Sequence, residues 1–435
     1  MTTATLSRDL PRAGAIDASL GDDTLAALVG QFARHGDAFR LDAPLLGKDV
    51  LVLSHPDHVR HVLVDHHANF RKGIGIERVQ ILLGNGLMTS EGALWRAQRR
   101  AVQPAFHRTA VEARIADIVA VNRRLAARIG TPTPTPVDLV RLLSEATLEI
   151  VLRAIFGRSY ERLVDGTNPF ALLTDETDRD LKFAYALRNL GGILQQEIER
   201  RRTRRDGNDD DDALQTLVDA KDRHSGEAMS DRQIRDEVFT LIVAGHETTA
   251  SALSWAWYLV ARHPEVAAAL HAEIDGATDA EQEHPVAHRF AYAQQVIAES
   301  LRLYPPGWVL TRRALGPASI AGIDVVTGDD ILISPFLVHR HPAFWHDSET
   351  FDPDRFAPAA AAARSRFAYL PFGLGPRACI GEPLAMAEML AHVVTLAHAC
   401  DLRLSPPDQA VEWEARVNLR PRAGLRFTAA ARHRA

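Results

Sequence analysis

Cys379 closes the run Pro371-Phe372-Gly373-Leu374-Gly375-Pro376-Arg377-Ala378-Cys379 and is followed by Ile380-Gly381, a setting with the form needed to present one thiolate to a metal. Gly373 and Gly375 permit positive φ and a close approach of the loop to a flat ligand, while Gly381 and the apolar run from Leu384 open a helix. Cys379 then stands at the N-terminus of that helix. Orphan N–H groups and the positive end of the helix dipole are expected there to hold its pKa below the free value of roughly 8.5. One cysteine does not build a structural zinc site, which takes about four ligands, so the pattern points to a metal already carried by a macrocycle.

Phe372, Gly375, Arg377, Cys379 and Gly381 match the pattern Phe-x-x-Gly-x-Arg-x-Cys-x-Gly. On these residues the chain resembles the haem-thiolate monooxygenases called cytochromes P-450, and the resemblance runs roughly from Gly30 to Phe427. A lone cysteine is most often a small core hydrophobe; five fixed identities in one loop reverse that reading. The resemblance implies haem b as cofactor with Cys379 as its axial thiolate, and Phe372 and Gly373 in the cofactor-binding loop.

A second chemical cluster is Ala244-Gly245-His246-Glu247-Thr248-Thr249. Ser230-x-x-Gln233 is a capping-box signal, Ile234, Val238, Leu241 and Ile242 continue a helical stripe, and His263-Pro264 stops it. That predicts a helix of about thirty residues, roughly 45 Å long. Gly245 and the back-bonding capacity of Thr248 predispose its central turn to loosen. The resemblance identifies this as the distal helix of the family, with Glu247 and Thr248 as its acid–alcohol pair. Reducing dioxygen to release water needs two protons, and a hydroxyl linked through water to a carboxylate can relay them. The same resemblance has Ala244 and Gly245 keep the space over the iron open. His246 reads as a packed or solvent-linked histidine, not a ligand.

Trp95 and Arg99 fit Trp-x-x-x-Arg, an i, i+4 spacing that puts both on one helix face. A haem carries two propionates, and arginine's planar fork suits carboxylates. Arg99, Arg377 and Arg312 are the candidate donors, Arg313 being able to exchange roles with Arg312. Arg96 and Arg100 read as a solvated face that could dock an acidic ferredoxin. Glu299-Ser300-Leu301-Arg302 and Arg355 match the family's Glu-x-x-Arg element and its partner, assigned to folding and haem retention.

The elements that must position these groups are mostly helical. Helical patterning covers Asp22 to His35, then Leu94–Val102, Val111–Ile129, Leu139–Phe156, Phe170–Arg205, Ala213–Ala220, Gln233–Arg262 and Val266–Ile274, with strands at Ala38–Leu41 and Val50–Leu53. The fold class is mainly α (α+β). The resemblance implies the cytochrome P-450 fold, a large helical bundle with a long central distal helix and a smaller β-rich lobe. Residues 1–21 read as a flexible tail and residues 22–435 as one catalytic domain. Thr131 to Pro136 reads as a stiff extended connector. Arg201, Arg202, Arg204 and Arg205 followed by Asp209 to Asp212 read as a solvated loop.

A net charge of −6 over 435 residues gives no basic field, so nucleic acid is not an expected partner. Two cysteines imply no disulfide framework and suit a reducing cytoplasm. The N-terminus lacks the apolar core of a signal peptide or membrane anchor, and the longest apolar stretch is interrupted by His246 to Thr249. With no flavin or iron–sulfur module appended, electrons from NAD(P)H are expected through a separate ferredoxin and ferredoxin reductase.

Family resemblance gives the pocket walls as the segment from Phe70 to Leu94, the distal helix, the stretch after Arg302 and a late turn. Ile74, Ile76, Leu82, Leu87, Met88, Phe239, Val243, Trp308, Val309 and Leu419 make them apolar. A hydrophobic small molecule follows as substrate. Without a charged anchor for a fatty-acid carboxylate, a terpenoid or polyketide-like intermediate is favoured over a fatty acid. A peroxide-using haem-thiolate enzyme is the second reading, disfavoured by Glu247 and Thr248. A haem sensor or carrier without turnover is the reading from another class.

Overall fold

The central helix, Asp231–Arg262, begins where Ser230 and Gln233 exchange side-chain and backbone hydrogen bonds, the Gln233 amide donating to Ser230 Oγ at 3.3 Å and the Ser230 amide to Gln233 Oε1 at 2.9 Å. It ends at His263, and Pro264 opens the next helix, Pro264–Asp275. The computed structural model describes residues 10–15, 22–43, 48–130, 136–165, 168–174, 179–203, 212–221, 226–285 and 290–432.

The central helix lies against Leu139–Phe156, and the closeness of the two has a residue-level cause. A Cβ on Gly245 would stand 2.5 Å from Val151 Cγ2, and Thr147 Oγ1 donates to His246 O at 3.0 Å. Gly245 is therefore small to admit the neighbouring helix. Its turn does not loosen: the helix runs unbroken through residues 244–249, because Thr248 and Thr249 bond back to the carbonyls of Ala244 and Gly245 without displacing the backbone ladder.

The helix after the cysteine, Glu382–Ala399, packs on Ile115–Gly130. Trp257 Nε1 donates to His392 Nε2 at 3.0 Å, His392 Nδ1 to Asn122 Oδ1 at 2.7 Å, and Asn122 Nδ2 to Ile118 O at 2.9 Å. This buried chain joins three helices within an apolar core that includes Leu125, Leu253, Leu390 and Val394.

Strands β1 (Arg12–Ala15), β2 (Ala38–Ala43), β3 (Lys48–Leu53), β4 (Phe70–Lys72), β5 (Val137–Asp138), β6 (Leu310–Ala314), β7 (Ala318–Ile320), β8 (Ile323–Val325), β9 (Asp330–Ile333), β10 (Cys400–Leu404), β11 (Trp413–Ala415), β12 (Leu419–Pro421) and β13 (Arg426–Ala431) make four sheets. The largest has the order β1-β2-β3-β9-β6-β4. Its β4–β6 pairing sets Lys72 opposite Arg312. Strands β11 and β12 form a hairpin whose Leu419 carbonyl accepts from Ser251 Oγ at 2.5 Å and Trp255 Nε1 at 3.2 Å, fastening it to the central helix.

The helices at Asp22–His35 and Leu139–Phe156 fall where periodicity puts them. Other expectations need correcting. Within the segment read as a flexible tail, residues 12–15 form β1, an edge strand parallel to β2, with Ala13 buried; a short strand with one inward side chain leaves little periodicity to read. The Val111–Ile129 helix is divided into Arg108–Glu112 and Ile115–Gly130 by a tight turn, Arg114 N to Val111 O at 2.9 Å, which lets Val111 and Ile118 both enter the core. Phe170–Arg205 is a short 3₁₀ turn, Ala171–Thr174, and the helix Arg179–Thr203. Arg201 and Asp212 are not solvated: Arg201 is buried, bidentate to Asp212 at 2.7 and 2.8 Å, and bonded to Glu197 at 3.0 Å. Residues 131–135 and 204–211 lie outside the described residues.

Candidate active site

The loop before Cys379 takes its shape from two glycines. Gly373 (φ 70°) and Gly375 (φ 72°) occupy left-handed conformations. Around Gly375 there is no room for a side chain, since a Cβ there would lie 1.9 Å from Leu63 O. The close approach thus serves a backbone neighbour in His61–Asp65. The Cys379 amide donates to Phe372 O at 2.8 Å, folding the loop back on itself, and Phe372 packs against the helical core.

Cys379 lies just before Gly381, the residue that caps Glu382–Ala399. The amides of Gly381 and Glu382 and the Arg99 guanidinium favour its thiolate, as the helix-terminus argument requires. Burial outweighs them, however, and with the Glu382 carboxylate it pushes the Cys379 thiol up rather than down. Cys379 is an exposed residue, unlike buried Cys400, yet its thiol is desolvated by the protein around it. A metal cation at the sulfur would supply the counter-charge that the two amides and Arg99 leave incomplete. Among the described residues no group of three or more His, Cys, Asp or Glu side chains gathers as a metal site.

Arg99 Nη1 donates to Ala378 O at 2.8 Å, and the Arg377 guanidinium carbon lies 4.3 Å from the Trp95 ring centroid. The Trp95–Arg99 face of the helix Gly92–Val102 is therefore laid against the cysteine loop. Arg377 also pairs with Glu91 through Nη2, while its buried Nη1 has no hydrogen-bond partner among the described residues. Arg312, with Nη1 on Thr311 O at 2.8 Å, and Lys72 stand close enough to Arg377 to be disfavoured by its charge. Burial first, then Arg377, brings Arg312 down to about 10 and Lys72 down to about 7. Lys72, Arg312 and Arg377 are faced chiefly by the Glu91 carboxylate. Such an excess of half-buried positive charge fits a ligand bearing two carboxylates, as haem does. Arg313 is committed elsewhere, bidentate to buried Asp330 at 2.8 and 3.0 Å, which leaves Arg312 facing the cluster.

Lys72 and Glu91 escaped the reading of the sequence. Lys72 becomes visible only through the β4–β6 register, and Glu91 through the folding of its loop onto Arg377.

On the central helix, Thr248 Oγ1 donates to Ala244 O at 2.7 Å. Ala244 is half-buried. Glu247, about 100° around the helix from Thr248, turns to the β11–β12 hairpin, where Asn418 Nδ2 donates to its Oε2 at 3.5 Å. His246 is wholly buried, Nδ1 donating to Ile242 O at 2.9 Å, in keeping with a packing role.

Glu299 and Arg302 are both wholly buried and joined twice, at 2.6 and 2.8 Å. Arg302 also donates to the carbonyls of His339, Ser348 and Thr350, and Arg355 lies 3.4 Å from Glu299. Burial raises the Glu299 carboxyl while Arg302 opposes the rise. The helix Ala291–Leu303 is thereby locked to the 346–355 segment.

Ile74, Leu87, Phe239, Trp308 and Leu419 are buried, whereas Leu82 is 40% exposed on its short helix. A groove of about 500 Å³ lined by Leu94, Ala97, Arg100, Met229 and Gln233 meets the expected wall segments only at Leu94 and Gln233 and contains none of the named apolar wall residues. No helix among the described residues is long and apolar enough to cross a membrane.

The profile of the cytochrome P450 family matches residues 22–183 and 168–424. The chain is 35% identical over 418 residues to cyclooctatin synthase of Streptomyces melanosporofaciens, covering 91% of this chain and 87% of that protein. It is 33% identical over 395 residues to cyclooctat-9-en-7-ol 5-monooxygenase of the same organism, covering 86% and 84%. Pentalenene oxygenase of Streptomyces avermitilis is 31% identical over 402 residues, with 87% of each chain covered. Similarity of this extent joins what the cysteine loop indicates by its geometry: the chain belongs to the cytochrome P450 family and is a haem-dependent monooxygenase.

Proposed function

We propose that this enzyme inserts one atom of dioxygen into a hydrophobic terpenoid, by hydroxylation or epoxidation, in the cytoplasm. The observation that carries the haem site is the half-buried Lys72–Arg312–Arg377 cluster, rich in positive charge, with Cys379 at a helix start on the adjoining loop. Arg312 and Arg377 would receive the propionates, with Arg99 supporting the loop at Ala378 and Trp95 fixing Arg377. Haem bound through the Cys379 thiolate supplies the oxygen-activating chemistry. Thr248 holds a hydroxyl proton on the central helix, and the Glu247 carboxylate, reached through water, replenishes it. Ala244 leaves space beside Thr248.

The terpenoid assignment draws on relatives named for cyclooctatin, cyclooctat-9-en-7-ol and pentalenene and on the apolar character of Ile74, Leu87, Phe239 and Trp308. Electrons from NAD(P)H come through a separate ferredoxin and reductase, with exposed Arg96 and Arg100 offering an acidic ferredoxin a docking surface. The test is direct. Reduced protein with carbon monoxide should show the red-shifted Soret band of thiolate ligation, and cyclic terpene hydrocarbons supplied with ferredoxin, reductase and NADPH should gain one oxygen atom. Turnover with peroxide alone, or no turnover on terpenes, overturns the proposal.

A further inference from the structure

The turn carrying Leu87 and Met88 is held by two charged groups, buried Glu237 and half-buried Lys72. The Leu87 amide donates to Glu237 Oε2 at 3.0 Å, and the carbonyl of the same residue accepts from Lys72 Nζ at 3.0 Å. Lys72 Nζ also donates to Ser90 O at 2.9 Å, and the Lys72 amide to Glu91 Oε1 at 2.8 Å. Two residues earlier on the turn, the Asn85 amide donates to Asp236 Oδ2 at 2.9 Å, and Gln98 Nε2 donates to Asn85 O at 2.7 Å. The fit leaves no room for side chains on the turn: a Cβ on Gly84 would lie 2.5 Å from the Asp236 carboxylate, and one on Gly86 would lie 2.3 Å from Thr240 Oγ1.

This construction is costly for a loop that needs only to be covered. Glu237 is wholly buried on the central helix, and its Oε1 has no hydrogen-bond partner among the described residues. Burial pushes its carboxyl up to about 7 and brings Lys72 down to about 7. Apolar packing would cover the same backbone without desolvating charge. What two charges on the amide and the carbonyl of one residue give instead is a fixed position. The cation is shared, since Lys72 also belongs to the cluster with Arg312 and Arg377.

We propose that Lys72 and Glu237 are positioning residues that clasp the Leu87 backbone, setting where Leu87 and Met88 stand in the substrate pocket and tying that position to the site of the haem carboxylates. The inference rests on the reading of Leu87 and Met88 as pocket wall. Binding of two carboxylates beside Arg312 and Arg377 favours the charged form of Lys72, which strengthens its bonds to Leu87 O and Ser90 O. Cofactor loading then tightens the wall.

Hydrogen exchange on the haem-loaded protein tests the clasp without requiring turnover. In Glu237→Ala and in Lys72→Met, protection of the amides from Leu87 to Ser90 should fall by about ten-fold or more, while central-helix amides around Ile242 keep theirs. Glu237→Gln, which retains an acceptor for the Leu87 amide, should restore most of the protection. The dissociation constant of 4-phenylimidazole, followed by its Soret shift, should change by roughly three-fold or more in the Ala and Met variants. Parent-like exchange in both variants overturns the clasp, as does a loss spread evenly along the central helix. Loosened exchange with unchanged azole binding overturns the wall assignment instead.

Discussion

The carbonyl oxygen of Leu63 occupies the place a side chain on Gly375 would need, 1.9 Å from the ideal Cβ position. The cysteine loop is thus seated by backbone against backbone, with φ at Gly375 of 72° adding a second reason for glycine. Gly375→Ala should displace the loop and with it Cys379, costing several kcal/mol on the order of an overpacked core site. Haem content per chain and the thermal midpoint of the purified variant give the measurement, and both should fall together.

Arg302 places five hydrogen bonds on Glu299 and three backbone carbonyls in a site with no solvent contact. Removing one partner strands the other's charge, so Arg302→Leu should destabilise the fold by roughly 3–5 kcal/mol. Glu299→Gln should cost less, because the amide keeps one acceptor for Arg302. Denaturant unfolding of the three proteins orders them parent, Gln variant, Leu variant.

Glu237 gives a stability signature in pH. Burial, reinforced by Asp236, raises its carboxyl from 4.5 to about 7, against the Leu87 amide and Lys72. A carboxyl raised in the folded state favours folding below its unfolded pKa and loses that advantage as pH climbs through the folded value. Between pH 4.5 and about 7 the parent should therefore lose up to roughly 3 kcal/mol through this group. Glu237→Gln has nothing to ionise and should gain on the parent over the same interval. Urea midpoints at pH 5 and pH 8 test the sign; a difference that shrinks with rising pH would reject it.

Thr248 now donates to Ala244 O. Thr248→Val keeps the helix and removes the proton, so hydrogen peroxide released per product should rise by about ten-fold, within the usual range for loss of a positioned proton donor. Cys379→His should retain some haem, lose the red-shifted carbon monoxide band and make no product.

What the sequence disclosed and what it withheld divide along chemical lines. Cys379, Arg377 and the glycines on either side of them, Gly373, Gly375 and Gly381, lie within one short loop, so their spacing alone carried the family. Asp22–His35 and Leu139–Phe156 were legible because an apolar stripe of helical period is a local property. Glu237 and Leu87, 150 residues apart in sequence, meet only through tertiary packing, as do Lys72 and Arg312 through strand register. Arg201 was misread for the same reason: a block of charges looks alike whether water or Asp212 answers it. The fall of Cys379's acidity against the helix-dipole expectation depended on burial, which no motif encodes.

His392, held between Trp257 and Asn122, has its imidazole pushed down to about 3 by burial. It stays uncharged across every acidity at which the enzyme would work. The Trp257–His392–Asn122 chain accordingly carries no charge that responds to protons, while Lys72 and Glu237, both brought to about 7, sit around the turn at Leu87. Stiffness and adjustability are allotted to different sides of the same catalyst.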